Sequence, residues 1–328
     1  MDSKNNNGLF AGLKNNQKYL LVAMAALAVL LVISLIVLVI ASIDFSSEEP
    51  DAGTPTTDVN SYNIGSTAPY TVNNAEISRG TLMIVNKDHK YTIDATTLKL
   101  VALFEYRDAQ TSEGSTRAYR ITSKDNGHDV MVTEETAANL HNMLTDLNKS
   151  TGATAYVAAG YRTYAEQTDN KPAASGYTDF HTGMMVSLKS YVGGTTLDIT
   201  AKENEAMYNW LLNNAHLYGF VQRYPDGKDA QTGVKDYLSC FRYVGVAHAA
   251  YMKTNNLCLE EYVASIQAQK PTLDNPIRVE VKNGSQKGVY AIYYYDYNGE
   301  AMDIQVPSEN YTVSGTNTNG IIVTVKLK

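Results

Sequence analysis

Cysteine and positive charge are both scarce in this chain. Only two cysteines, Cys240 and Cys258, occur among 328 residues, and a single possible bridge does not make the disulfide framework of a small secreted domain. We expect no bridge between them, because the sequence Leu257-Cys258-Leu259 is typical of a buried position near a helix. Lysine and arginine number 27 against 34 acidic residues, which gives a net charge of −7. Without a basic run that could neutralise phosphates, we expect no nucleic-acid partner.

Charged residues are absent from one long stretch, Tyr19 to Ile43, where nearly every residue is Leu, Val, Ile or Ala. A helix over this stretch would be about 37 Å long, enough to cross a bilayer with some tilt. The alternative is a cleaved signal peptide, but the apolar core of a signal peptide spans only about 7–15 residues. Ala41-Ser42 is also only a faint cleavage signal. The sequence therefore predicts a retained membrane anchor.

The charges that flank this stretch predict its orientation. Lys4, Lys14 and Lys18 precede it, and no Lys or Arg follows until Arg79. Because positive residues stay on the cytoplasmic side, we expect the N-terminus inside the cell and the rest outside, held in the cell membrane by a single span. The segment after the span is rich in small polar residues, as is typical of a tether. The predicted boundaries are a cytoplasmic tail at 1–18, a transmembrane anchor at 19–43 and an extracellular tether at 44–75.

Helices mixed with strands follow the tether and predict an α+β domain at 76–268. Its clearest helix begins after Thr133, a suitable N-cap, and keeps apolar residues at helical spacing as far as Leu147. A second helix is predicted from Thr200, which forms a capping-box pattern with Glu203. The remaining predicted elements are helices at about 246–254 and 259–267 and strands at 81–85, 155–158 and 220–223.

The residue composition changes after Pro271, where runs of β-branched and aromatic residues alternate with residues typical of turns. Asn283-Gly284, Asn298-Gly299 and Asn319-Gly320 are strong hairpin signals, so the sequence predicts a small antiparallel all-β module at 271–328. Its strands are predicted at 277–281, 289–295, 304–306 and 321–325. The second strand is rich in tyrosine and could bind a glycan or a peptide. Packing of these tyrosines on both faces of a thin sheet is the simpler interpretation.

Residues that could hold a metal are few. A zinc hydrolase requires three protein ligands, an open position for water and a nearby carboxylate. Most of the histidines have no partner at a ligand spacing and are expected to be surface or packing residues. These are His89, His128, His141, His216 and His248. His181 differs from them because of the motif that surrounds it.

Several short blocks give the chain a family resemblance. They are Gly160-Tyr161-Arg162, Thr182-Gly183 and Phe241-Arg242-Tyr243-Val244-Gly245, supported by Gly219-Phe220 and Arg223-Tyr224-Pro225. In this order they resemble the D-alanyl-D-alanine carboxypeptidases of the VanY type, zinc enzymes that trim peptidoglycan stem peptides. The resemblance runs from about residue 81 to residue 263. It implies a VanY-like zinc-carboxypeptidase-type domain of the α+β class, here preceded by a single transmembrane helix and followed by the β module.

The positions at which this family holds its metal carry other residues here. The family's middle block has the pattern Ser-x-His-x-x-Gly-x-x-x-Asp, and its two zinc ligands align with Phe180 and Ser187. The late block has Glu-x-x-His, a catalytic base and the third ligand, which align with Tyr237 and Cys240. The resemblance therefore implies a degenerate member with no zinc, no other cofactor and no catalytic residues, which is a pseudoenzyme.

Two other arrangements of these residues could support activity. A slip of one residue would make His181 a ligand, but the partner position then holds Leu188, and a slip along a strand turns the side chain away from the site. A metal-free mechanism would use Cys240 as a nucleophile and His181 as its base. No third group that orients them can be named. An active carboxypeptidase with displaced ligands, and a purely structural surface protein, stay open as alternatives.

The residues that align with the family's substrate-binding positions are still suited to binding. Arg162 aligns with the arginine that receives the substrate carboxylate, a task suited to a guanidinium. Gln167 and Thr178 align with pocket residues, although each of the three could instead support a loop. We therefore expect a membrane-anchored, exported protein that binds a peptidoglycan stem peptide or a wall-associated protein without hydrolysing it.

Overall fold

The structure, a computed structural model, describes residues 62–92, 95–122, 129–282 and 284–328. The predicted tail, the predicted anchor and the tether as far as residue 61 lie outside the described residues, as do His128 and Asn283. Among the helices of the described ranges, none combines the length and the apolar character that a bilayer crossing requires.

Strands and helices alternate irregularly along the described chain, which is the α+β arrangement that the sequence predicts. The strands are β1 (Thr67–Val72), β2 (Leu100–Ala102), β3 (Tyr119–Ile121), β4 (Met131–Thr133), β5 (Ala155–Ala159), β6 (Met185–Val192), β7 (Thr195–Asp198), β8 (Phe220–Gln222), β9 (Cys240–Tyr243), β10 (Ile277–Val281), β11 (Gly288–Asp296), β12 (Met302–Pro307), β13 (Tyr311–Gly315) and β14 (Gly320–Lys326). The α-helices are α1 (Leu103–Gln110), α2 (Glu134–Thr151), α3 (Glu205–Asn214), α4 (Asp229–Thr232), α5 (Val246–Thr254) and α6 (Leu259–Gln269). Short 3-10 turns lie at Glu76–Ser78, Ala95–Thr97, Asp179–Thr182, Lys202–Asn204 and Ala215–Tyr218.

A mixed sheet forms the centre of the first domain. Its strand order is β3-β5-β6-β9-β8, with β7 paired to β6. Only β3 and β5 run parallel among these pairs of the described strands. Successive side chains of a strand point to opposite faces, so Cys240 and Phe241 at the start of β9 lie on opposite sides of the sheet. Phe241 joins the main hydrophobic core, whereas Cys240 joins a smaller cluster.

Helix α2 packs on the main core, as its sequence pattern predicts. Thr133 caps it, since Thr133 Oγ1 accepts a hydrogen bond from the Thr136 amide at 3.4 Å. Gly152 ends it in the left-handed region, at φ 70°. Its apolar face, which includes Leu140 and Leu147, is fully buried. Each buried leucine contributes about 1.5–3 kcal/mol, so packing rather than intrinsic propensity stabilises this helix.

The strand predicted at 81–85 is absent from the structure. Leu82 and Ile84 are buried there as the apolar run requires, but the segment joins no ladder. The carbonyl oxygens of Thr81 and Val85 accept hydrogen bonds from arginine side chains instead. A buried backbone group needs a partner, and these partners come from side chains rather than from a neighbouring strand.

The helix predicted to begin at Thr200 begins later. The amide and the hydroxyl of Thr200 both donate to Asp198 Oδ1, at 2.9 and 2.8 Å. The threonine is therefore not available to cap a helix together with Glu203. A 3-10 turn follows, and α3 begins only at Glu205.

The C-terminal module is an antiparallel sheet with the strand order β10-β11-β14-β13. Strands β10, β11, β12 and β14 match the four predicted strands, and β13 was not predicted. The tyrosines of β11 pack on both faces, with Tyr290 and Tyr294 in the cluster that contains α5 and α6 and Tyr293 in the cluster on the other side. The simpler interpretation of the tyrosine-rich strand is thereby confirmed.

The last part of the predicted tether is a strand of the module. Strand β1 pairs antiparallel with β12 over all of its residues, from Thr67 opposite Pro307 to Val72 opposite Met302. Val72 is fully buried in the module's core. Because the partner strand lies near the other end of the chain, the local polar composition could not reveal this pairing.

Helices α5 and α6 join the first domain to the module. Their apolar residues share one buried cluster with strands β10, β11 and β14. At its centre His248 Nδ1 lies 2.6 Å from the Tyr262 hydroxyl, and His248 Nε2 lies 2.9 Å from the Thr324 hydroxyl. The module is therefore packed on the first domain through a continuous core.

Shortening the side chain of Val72 to that of alanine tests whether β1 is part of the module. We expect Val72→Ala to lower the free energy of unfolding by about 2 kcal/mol, because it removes buried methyl groups and leaves a cavity. Thr71→Ala, on the exposed side of the same strand, should change it by less than about 0.5 kcal/mol. Urea unfolding followed by circular dichroism measures both. Equal, small effects would show that the strand is not docked.

Candidate functional site

One buried carboxylate lies between two buried arginines at the centre of the first domain. Asp179 Oδ2 accepts a hydrogen bond from Arg223 Nε at 2.6 Å, and Asp179 Oδ1 accepts one from Arg242 Nη1 at 2.5 Å. The side chains of all three residues are 0% exposed. Buried charges are costly unless they are paired and hydrogen-bonded. Each member of this group therefore requires the others.

The two arginines extend this group to neighbouring segments. Arg223 also binds both carboxylate oxygens of Glu260, at 2.7 and 3.0 Å, so the pair is bidentate. Arg242 also donates to Thr182 Oγ1 at 2.8 Å. Burial by itself would raise the pKa of Glu260, but the charge and hydrogen bonds of Arg223 hold it below its ordinary value. The Asp179 network, as we call Asp179, Arg223, Arg242 and Glu260, thus connects the 3-10 turn, β8, β9 and α6.

The positions that the resemblance assigns to zinc ligands converge beside this network. Phe180 is 2% exposed and Cys240 is 0% exposed, and both pack in one apolar cluster with Met185 and Tyr224. Tyr237, at the position of the base, packs against the edge of the same cluster. Burial raises the pKa of Tyr237, so its phenol stays protonated at neutral pH.

Ser187 completes this group of four positions. It pairs directly with Cys240 across β6 and β9, and its hydroxyl lies 3.2 Å from the hydroxyl of Ser239. The polar atom is therefore engaged within the protein. The family alignment implies that the four residues lie close together, and in the structure they do.

The side chains at this point do not fit a catalytic zinc ion. Such an ion takes three nitrogen, sulfur or carboxylate ligands and an open position. The four positions offer one thiol, one neutral hydroxyl, one phenol and one hydrocarbon ring. Elsewhere in the described ranges, no group of three or more His, Cys, Asp and Glu side chains could hold a metal ion.

His181 has both ring nitrogens committed to the backbone. Its Nε2 accepts a hydrogen bond from the Gly176 amide at 2.9 Å, and its Nδ1 lies 2.7 Å from the Arg162 carbonyl oxygen. The ring stacks on Tyr164 at a centroid distance of 4.5 Å. Because Asp179–Thr182 is a 3-10 turn rather than a strand, the strand-slip argument does not apply. Its hydrogen bonds, instead, keep His181 from acting as a ligand or as a base for Cys240.

Cys240 lies in surroundings that disfavour a thiolate. Burial, together with the nearby negative charge of Asp179, raises its pKa to about 12. A reactive cysteine has the opposite environment, with access to solvent and positive charge close by. Neither Cys240 nor Cys258 is bonded to another cysteine, and both are buried. Cys258 is the N-cap of α6, which agrees with the predicted position near a helix.

Arg162 lies at the edge of the apolar cluster and faces a cleft. Its guanidinium stands over the Phe180 ring at 4.3 Å from the centroid, a cation–π geometry. Its Nη1 donates to Gln167 Oε1 at 2.9 Å and to the Lys171 carbonyl at 3.2 Å. Within the described residues, Nε and Nη2 make no hydrogen bond. The open cleft has a volume of about 810 Å³, and its lining includes Arg162, Met131 and Tyr161 together with two acidic residues, Asp129 and Glu166.

Gln167 and Thr178 are bonded to the protein itself. The Gln167 amide nitrogen donates to the carbonyls of Lys171 and Ala173, at 2.9 and 2.7 Å. Thr178 is fully buried and its hydroxyl accepts a hydrogen bond from the Phe180 amide. Both side chains shape the loop around Arg162. Direct contact between either of them and a ligand stays a prediction.

The Asp179 network was not foreseen from the sequence. Its arginines belong to blocks that carry the family resemblance, Arg223-Tyr224-Pro225 and Phe241-Arg242-Tyr243, but nothing local shows that both are buried. The one local signal is that Asp179 lies directly beside the apolar residue Phe180 within a family block. Only the fold reveals which cations it pairs with.

Comparisons with known proteins identify related sequences. The sequence model of one family, VanY: D-alanyl-D-alanine carboxypeptidase, matches residues 169–246. A D-alanyl-D-alanine carboxypeptidase of Enterococcus faecium is 27% identical over 274 residues, which cover 81% of this chain and 82% of that protein. A second one, of Enterococcus faecalis, is 34% identical over 137 residues, 37% of this chain and 51% of that protein. Residues 169–246 carry the sequence pattern of the VanY D-alanyl-D-alanine carboxypeptidase family.

The fold of the chain also has a match among solved structures. The vancomycin resistance D,D-dipeptidase VanXYg, in complex with a D-Ala-D-Ala phosphinate analogue, superimposes with a TM-score of 0.63 at 23% identity. The match covers 80% of this chain and all of that one. At this identity the likeness supports the α+β fold. The span matched by the family's sequence model includes Phe180, Ser187, Tyr237 and Cys240 as well as Asp179.

Removal of the central carboxylate tests the role of the network. We expect Asp179→Asn to lower the free energy of unfolding by about 3–5 kcal/mol, because buried Arg242 loses the carboxylate that balances it and Arg223 keeps only Glu260. Asp88→Asn, at an exposed turn residue, is the control and should change it by less than about 0.5 kcal/mol. Both are measured by urea unfolding. A loss below about 1 kcal/mol for Asp179→Asn would contradict this role.

The thiol of Cys240 provides a second test of the site. We expect it to resist iodoacetamide at pH 8 in the folded protein, because it is buried and stays protonated. The same thiol should react fully after denaturation, as mass spectrometry of the peptide containing Cys240 would show. Rapid modification in the folded state would instead support a cysteine nucleophile.

Proposed function

We propose that this chain is a membrane-anchored, exported member of the VanY family that binds a peptidoglycan stem peptide without hydrolysing it. The observation that carries the proposal is the pairing of Phe180 with Arg162. The phenylalanine occupies the place of a zinc ligand, and its ring supports the guanidinium that aligns with the family's carboxylate receptor. Phe180, which cannot bind a metal ion, thus packs against Arg162, the arginine proposed to bind the ligand.

The guanidinium of Arg162 is the group that would receive a ligand carboxylate, in a cleft whose lining also includes Asp129 and Glu166. Its ion pair with Asp169 is long, at 3.9 Å, and Asp169 is 58% exposed. Such a pair is worth only about 0–1 kcal/mol, so a ligand carboxylate can compete with it. Nε and Nη2 together present the fork that binds a carboxylate through two parallel hydrogen bonds. The cleft volume of about 810 Å³ lies within the usual range of about 300–1,000 Å³ for small-ligand sites.

The ligand class comes from the family. The solved relative VanXYg was crystallised with a D-Ala-D-Ala phosphinate analogue, and stem peptides that end in D-Ala-D-Ala carry a free carboxylate. The hydrolytic step requires a metal-bound water and a base, for which the four positions supply neither a ligand set nor a carboxylate. A wall-associated protein that presents its own C-terminal carboxylate is the alternative ligand.

The cellular location is proposed from the sequence. The apolar stretch at 19–43 would hold the chain in the membrane, with the described domain on the outer side. Peptidoglycan lies on that side, so a stem peptide would be within reach of the cleft.

Peptide binding and turnover, measured on the full chain in lipid nanodiscs, test this proposal. We expect a stem pentapeptide ending in D-Ala-D-Ala to bind by calorimetry, with no release of D-alanine by chromatography. Arg162→Ala should weaken binding at least tenfold, because a charge-assisted bidentate pair is lost. Arg120→Ala, exposed on β3, is the matched control and should have no effect.

Three outcomes would overturn the proposal. Release of D-alanine together with one bound zinc per chain would establish an active carboxypeptidase with displaced ligands. The absence of peptide binding would favour a protein ligand or a structural role. Equal affinity of the wild-type chain and the Arg162→Ala variant would remove Arg162 from the site.

A further inference from the structure

The backbone of Arg162 is held by the 3-10 turn at Asp179–Thr182. The Arg162 amide donates a hydrogen bond to the Phe180 carbonyl oxygen at 3.2 Å, and the Arg162 carbonyl oxygen lies 2.7 Å from His181 Nδ1. Both backbone groups of the arginine are thus bonded to neighbouring residues of one turn. The side chain adds a third contact, because its guanidinium stands over the Phe180 ring. The turn therefore fixes where Arg162 lies beside the cleft.

The partners of His181 determine which of its ring nitrogens carries the proton. The Gly176 amide can only donate, so His181 Nε2, at 2.9 Å from the amide nitrogen, is the acceptor. Burial lowers the pKa of His181, and the neutral ring then has its single proton on Nδ1. A carbonyl oxygen can only accept, so Nδ1 donates to Arg162. The imidazole thus connects the backbone of Gly176 to the backbone of Arg162.

The ring of His181 is itself fixed by its surroundings. The residue is 1% exposed, and its ring stacks on Tyr164 and on Tyr91, at centroid distances of 4.5 and 6.3 Å. The Tyr164 hydroxyl donates to the Tyr91 carbonyl oxygen, and the Tyr91 amide donates to the Gly176 carbonyl oxygen at 2.8 Å. A side chain that is locked by packing and hydrogen bonds can hold a binding residue accurately. His181 meets this condition.

Accurate placement matters for the group that Arg162 would bind. In a bidentate pair, two N–H groups of the guanidinium meet two carboxylate oxygens at once. Binding groups of this kind must be held within about 0.5 Å and 10–20° of the productive geometry. Loss of the His181 bond would leave the Arg162 carbonyl oxygen without this partner, and the peptide group could rotate to find another. The direction of the guanidinium would change with it.

We propose that His181 is a positioning residue for Arg162, and that it thereby sets the preference of the cleft for a ligand with a free C-terminal carboxylate. His181 acts through its Nδ1–H, which holds the Arg162 carbonyl oxygen, and it does not touch the ligand. The inference rests on the proposed function, in which Arg162 receives that carboxylate.

Two peptides that differ in one group test this role. They are a stem pentapeptide with a free C-terminal carboxylate and the same peptide with a C-terminal amide. With the full chain in lipid nanodiscs, calorimetry should give at least about tenfold tighter binding of the carboxylate form. His181→Leu, which removes both hydrogen bonds of the ring, should reduce this preference to less than about threefold. A merely structural role would weaken the binding of both peptides equally and leave the preference unchanged.

Three further variants provide the controls. His181→Gln offers one N–H donor and one carbonyl acceptor on a single amide, so it should restore the preference to within about twofold of the wild type. His181→Ser cannot bridge the two backbone groups but lets water pair with them, and it should lose the preference even if His181→Leu does not fold. His141→Leu should keep the preference, because His141 is a partly buried histidine on α2, outside the cleft, that contacts the Tyr119 hydroxyl. A full preference in His181→Ser or a lost one in His181→Gln would overturn the proposal.

Hydrogen exchange of the ligand-free chain tests the positioning without any peptide. We expect the Arg162 amide to exchange at least about tenfold faster in His181→Ser than in the wild type, whereas the amides of β9 should keep their rates. Unchanged exchange at Arg162 would overturn the proposal, whether or not a peptide binds. If exchange at Arg162 becomes faster but the wild-type chain binds neither peptide, the proposed function fails and the positioning of Arg162 by His181 stands.

Discussion

The first domain depends on a buried carboxylate that bridges two buried guanidinium groups. Asp179 contributes one oxygen to Arg223 and the other to Arg242, and all three side chains are completely shielded from water. Because none of these charges can be removed alone without leaving another uncompensated, the segments that carry them are held in one arrangement. The 3-10 turn, β8, β9 and α6 meet at this point.

This network gives the candidate site a frame that does not require a metal ion. Phe180 follows Asp179 directly, so the network that holds Asp179 also places the phenylalanine ring. Cys240 lies two residues before Arg242 on β9, and its position is fixed in the same way. In the proposed account, the four metal and base positions could change to apolar or neutral residues because the charge network beside them held the surrounding backbone. The hydrophobic cluster of Phe180, Met185, Tyr224 and Cys240 then fills the space.

The sequence predicted those parts of the structure that depend on local periodicity. Helix α2, with its Thr133 cap and its leucine face, and the four β-branched strands of the C-terminal module are examples. The sequence-based prediction failed where the structure of a segment depends on a partner that is distant in the chain. Residues 81–85 have the composition of a strand. Two of their carbonyl groups nevertheless accept hydrogen bonds from arginine side chains, that of Thr81 from Arg242 and that of Val85 from Arg223. Strand β1 has the composition of a tether, yet it pairs with β12.

The sequence likewise predicted some features of the candidate site and not others. The family blocks identified Arg162 and the four positions that align with the family's metal ligands and base, and the structure brings these residues together. They could not reveal that Phe180 supports Arg162, or that the backbone amide of Gly176 and the carbonyl of Arg162 occupy both nitrogens of His181. Those contacts depend on the loop between β5 and β6, whose path is set by side-chain hydrogen bonds such as those of Gln167.

Zinc content after restoration of the four positions tests the central claim most directly. The combined variant carries Phe180→His, Ser187→Asp, Tyr237→Glu and Cys240→His, which recreates the ligand and base pattern of the family on this frame. The account predicts that the full chain purified with zinc binds about one ion per molecule in the variant and far less than one in the wild type, by plasma mass spectrometry. One zinc ion per wild-type molecule, bound as tightly as in the variant, would contradict it.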